Sequence, residues 1–105
     1  MRYNLTDKLN FNEDPEIEVK GEVFTVRSDA VTVLKVMALA KEKDEVEALI
    51  ECAPLLFSEK DQKTIKKINL KMDDYITFMQ VALSLALGED PDEESQPGGE
   101  NRTTI

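Results

Sequence analysis

The residues best suited to chemistry are one cysteine, Cys52, a carboxylate pair, Asp73 and Asp74, and an alternating acidic run, Asp90, Asp92 and Glu94. Each has a plainer reading. Cys52 lies in an apolar helical stretch, and with no histidine in 105 residues nothing of that kind lowers its pKa, so it reads as a buried structural thiol. Asp73 and Asp74 stand where a helix begins, where a carboxylate caps free N–H groups and meets the positive end of the helix dipole. The run from Asp90 has the alternation of a calcium loop but lacks its central glycine and its distal glutamate at the required spacing. No assembled acid, base and nucleophile can be found, which predicts a protein that is not an enzyme and holds no metal or cofactor.

Two polar patterns concern binding. Lys60, Lys63, Lys66, Lys67 and Lys71 are the main basic concentration, reading as a solvated helix face that could also dock an acidic segment. Thr77, Gln80 and Ser84 recur at three- and four-residue steps and form one thin polar stripe on the otherwise apolar stretch from Tyr75 to Leu87. They are either its solvent side or a polar seam between helices. Asn4-Leu5-Thr6 and Asn101-Arg102-Thr103 match the glycosylation pattern, yet no secretion signal accompanies them.

The elements that would position these residues follow from periodicity and turn chemistry. Leu5, Leu9 and Phe11 could supply a short extended edge. Over residues 15 to 27, Ile17 and Val19 alternate with charges, Lys20-Gly21 interrupts, and Val23, Phe24 and Val26 resume, which predicts a β-hairpin. With Lys20 and Gly21 at the turn, Ile17 faces Phe24, and Ile17, Val19, Phe24 and Val26 share the side packed on helices. Ser28 or Asp29 caps a helix through Ala40, and a charged bend from Lys41 to Glu45 precedes a second helix that Pro54 is expected to end. Leu55, Leu56 and Phe57 then plug the core. Ser58 opens a third helix with a variant capping box ending at Asp61, Asp73 or Asp74 caps the last one, and Gly88 closes it.

The fold class is therefore α+β, predominantly α: a hairpin on a compact bundle of about four helices, one domain over residues 1 to 88. Residues 89 to 105 carry six acidic groups and one basic group, a net of −5 out of −9 for the chain, with Pro and Gly among them, so a disordered acidic tail is expected. The net charge and a pI near 4.5 oppose attraction to nucleic acid or anionic membrane. With no stretch long enough to span a bilayer, a cytoplasmic protein is expected.

The β-rich start Glu22-Val23-Phe24-Thr25-Val26, the compact helices, the last segment Asp74 to Gly88 and the acidic end resemble the small tail assembly chaperones of long-tailed bacteriophages and prophages. The resemblance covers most of the chain in size, order and local character. It implies a non-structural helper in the bacterial host cell that binds the tape-measure protein, keeps its apolar helices from aggregating and helps recruit tail-tube protein. A small acidic adaptor or inhibitor domain is the alternative.

Apolar surface on the helices 30–40 and 75–87 exceeds what so small a chain can hide, which suggests a homo-oligomer or a helical partner. Val36, Leu39, Phe78, Val81 and Leu85 are the candidate contact residues, chosen as lying off the narrowest core stripes.

Overall fold

The computed structural model describes residues 1–11 and 13–90. Strands β1 (Glu16–Val19) and β2 (Glu22–Thr25) form an antiparallel hairpin, followed by helices α1 (Ala30–Glu42), α2 (Glu45–Leu56), α3 (Glu59–Ile68) and α4 (Met72–Ala86). This is the expected α+β architecture. Where the acidic tail was expected to be disordered, residues 91–105 lie outside the described residues.

The hairpin has the expected register, Ile17 opposite Phe24 and Val19 opposite Glu22. Lys20 (φ 52°) and Gly21 (φ 81°) both take left-handed conformations, the pair that a two-residue turn matching strand twist requires. Phe24 and Val26 are fully buried, and Ile17 and Val19 pack beside them, so the predicted face is the inner one.

The core is centred on three rings from distant parts of the chain. Phe24 of β2 meets Phe78 of α4 edge to face at 5.4 Å between centroids, and Phe57, just after α2, stacks on Phe78 at 5.3 Å. Leu56, Val33, Val36, Cys52, Met79, Ala82 and Ala86 complete it. No polar or charged side chain is buried among the described residues.

Four local expectations are corrected, the fourth of them at Asp61. Pro54 does not end the second helix, which continues through Leu56. Its missing N–H removes only one helical bond, and the last turn is secured from outside. The Arg27 N–H donates to the Leu56 carbonyl (2.9 Å), its guanidinium donates to those of Pro54 and Leu55 (3.2 Å each), and the Phe57 N–H donates to that of Ala53 (3.0 Å). The carbonyls normally orphaned at a helix end are thus all satisfied, and Leu56 and Phe57 are carried into the core.

Second, α4 starts two or three residues earlier than a cap at Asp73 or Asp74 implies. Its N-cap is Lys71, without a side-chain bond, and both aspartates sit within the first turn, where they still complement the dipole. Third, Leu5 and Leu9 do not form an extended edge: a single 3-10 turn spans Thr6–Lys8, and residues 1–11 contribute no buried side chain.

The other helix starts agree with expectation at Asp29 and Ser58, while Asp44, expected only as part of a charged bend, is a cap. Asp29 caps α1 by accepting from the Thr32 N–H (3.1 Å), and Asp44 caps α2 by accepting from the Glu47 N–H (2.8 Å). Ser58 accepts from the Asp61 N–H (3.1 Å), but Asp61 does not close a capping box; its carboxylate accepts from the Thr25 N–H of β2 (3.1 Å), tying α3 to the hairpin. Gly88 (φ 81°) ends α4 with two reversed bonds, Gly88 N–H to Leu85 and Glu89 N–H to Ser84, the double closure that a left-handed glycine permits.

Candidate functional site: an apolar groove between three helices

α1 and α2 pack closely, and α4 lies across α2, but the three do not seal against one another. An open groove of about 320 Å³ remains. Val36 and Ala40 line it from α1, Ala48, Leu49, Cys52 and Leu56 from α2, and Ile76, Met79 and Leu83 from α4; Glu45 and Gln80 are its exposed polar members. A small-molecule site needs several converging polar groups to fix orientation. This one offers two, so it suits an apolar side chain from another polypeptide.

A second apolar surface lies on the outside of α1, where Val31, Leu34 and Met37 are exposed, the first two at 64%. They form a row beside the buried Val33 and Val36, turned away from the core. Nearby on α2, Val46 and Ile50 are also exposed.

The candidate contact residues fall differently from their predicted placement. Val36 and Phe78 are core residues at 2% and 5% exposure, and Leu39 packs against that core half-buried, so these three do not lie off the core stripe. The cause is that α1 and α4 are apolar on most of their circumference, and periodicity alone does not say which face turns inward. Val81 and Leu85 are half-buried. Of the five, Val36 lines the groove. Sequence reasoning did not single out Ala40, Ala48, Leu49 or Leu83, nor the outer row Val31, Leu34 and Met37. That row was legible as a three-residue repeat, but it reads equally as core.

The chemically suggestive residues are dispersed. Cys52 is buried, its thiol within 3.9 Å of the Val36 carbonyl, and burial with a smaller push from Glu51 raises its pKa. Tyr75 is raised by burial and, secondarily, by Cys52. Asp73 and Asp74 are exposed on α4, and no group of three or more Cys, His, Asp or Glu among the described residues could hold a metal ion. Asp90 is exposed; Asp92 and Glu94 lie outside the described residues. Lys60, Lys63, Lys66 and Lys67 are exposed on α3, where Ile65 and Ile68 form the packed edge. Thr77 and Gln80 are exposed and Ser84 half-buried, so the polar stripe is largely the solvent side of α4. Asn4 accepts from the Thr6 N–H in a local turn (2.9 Å).

Comparison with known proteins finds no matching family model, curated relative or solved structure. No helix among the described residues is long and apolar enough to cross a membrane.

Proposed function

We propose that this chain is a non-enzymatic helper that shields apolar helical segments of another protein, acting as a tail assembly chaperone of a long-tailed phage or prophage, with the tape-measure protein as partner and tail-tube protein as a further one. The observation that carries this reading is the open apolar groove between α1, α2 and α4. A helix laid there would seat one or two large side chains against Leu49, Met79 and Leu83, the mode by which amphipathic helices enter grooves. The chain's net charge of −9 keeps such a complex soluble.

The test is capture of tape-measure segments on co-expression. Leu83→Glu puts a charge into the groove wall and is expected to weaken capture by about 2 kcal/mol, some thirtyfold, with helix content by circular dichroism unchanged. Unaltered capture by this variant would exclude the groove. Deleting residues 89–105 distinguishes the acidic adaptor: a helix-binding helper keeps its partner, whereas a protein acting through tail carboxylates loses it.

A further inference from the structure

The first eleven residues carry a concentration of exposed apolar side chains out of proportion to their length. Met1, Tyr3, Leu5, Leu9 and Phe11 are all exposed, Phe11 at 75%. The structure thus combines an exposed apolar arm with an open apolar groove.

We infer that the N-terminal arm of a second copy fills the α1–α2–α4 groove, so that two chains exchange arms and cap each other's binding surface. This rests on the groove being the helix-accepting surface proposed above, and it adds what covers that surface before a partner arrives.

Charge complementarity selects this occupant. The arm bears Arg2 and Lys8 against Asp7, a net of +1, in a chain that is otherwise strongly acidic. The groove's one charged lining residue is Glu45, and around it residues 41–51 hold Glu42, Asp44, Glu45, Glu47 and Glu51 against Lys41 and Lys43, a net of −3, with Lys43 paired to Glu51 at 3.9 Å. An acidic tail or another acidic segment would be repelled there.

Reach is sufficient. The arm is rooted where Asn10 and Glu13 border a hollow at the C-terminal end of α4, and with its 3-10 turn at Thr6–Lys8 and the other eight residues extended it spans up to about 30 Å. Leu5 and Leu9 stand on either side of the Thr6–Lys8 turn and are the side chains that would enter the groove.

Sedimentation equilibrium of the full chain tests this, with a variant lacking residues 1–11 and an Ala40→Arg variant. Ala40 lines the groove yet is exposed, so arginine blocks the site and repels the arm without disturbing the core. The full chain is expected at twice the 11.9 kDa chain mass, and each variant alone at the single-chain mass. Mixing the two variants restores association, because one still supplies an arm and the other a groove. Arg2→Glu with Lys8→Glu shifts the full chain towards monomer.

A monomeric full chain, an arm-deleted chain of unchanged mass, or a mixture that stays monomeric overturns the proposal; an arm lying in its own groove produces the first of these. Capture of tape-measure segments is read separately. Dimer exchange with no capture at any concentration sinks the helper function and leaves arm exchange standing, and capture by a chain that is always monomeric does the reverse.

Discussion

Arg27 holds Pro54 in helix α2: its guanidinium donates to the Pro54 carbonyl at 3.2 Å, and to that of Leu55 at the same distance. Proline is tolerated so near a helix end because a cation from the strand side supplies donors that the helix lacks. Arg27→Ala leaves those carbonyls to water and is expected to cost about 1 kcal/mol, with Arg27→Lys recovering part of it. Urea unfolding midpoints measure both.

Phe78 touches both Phe24 and Phe57, so it joins the hairpin, the α2–α3 link and α4 at a single ring. Phe78→Ala is expected to lose about 3–5 kcal/mol, a large part of a small domain's stability. Thermal melting should show a single transition at lower temperature; an unchanged melting temperature contradicts the central place of that ring.

Lys20 carries a side chain at a left-handed turn position where asparagine or glycine is favoured. Lys20→Asn is expected to stabilise the fold by about 0.5 kcal/mol, part of the roughly 1–2 kcal/mol that left-handed geometry costs an ordinary residue. Chemical denaturation of the two proteins side by side decides it.

Asp29 provides the pH dependence. Hydrogen bonding by Thr32, first through its side chain and then through its backbone N–H, holds the Asp29 carboxyl below the ordinary range. A lowered folded pKa means the cap's contribution is present above the unfolded pKa and is lost as pH falls through the folded value. Amide exchange in the first turn of α1 should accelerate over that acidic window, and Asp29→Asn should remove this part of the dependence.

Cys52 is pushed up by burial and by the Glu51 carboxylate, so its thiolate is scarce at neutral pH. Alkylation should be slow in the folded protein and speed up at least tenfold in urea. Because Cys52 lines the groove, the arm-deleted chain should label faster than the full chain.

The hairpin and two helix caps were legible in the sequence because local chemistry decides them: Lys20-Gly21 sets the register, and Asp29 and Ser58 fit helix starts whatever lies beyond, whereas the cap at Asp44 was hidden in a charged bend and α4 begins at Lys71 without an aspartate cap. Pro54 misled, since the residue that sustains its helix, Arg27, is 27 positions away and makes its bonds only after folding. Asp61 likewise satisfied a local pattern but was diverted to Thr25. The groove was hidden for a different reason. On α1, Val31, Leu34 and Met37 are as apolar as Val33 and Val36, and only the crossing of α2 settles which set turns inward.

The hairpin's outer face has its own effect. Glu16 and Glu18 stand exposed along β1, with Glu22 exposed beside the turn. Two such ribbons meeting side by side would bring like charges together, so strand-to-strand stacking is discouraged along this edge. The exposed carboxylates thus act as gatekeepers against further strands adding to the ribbon.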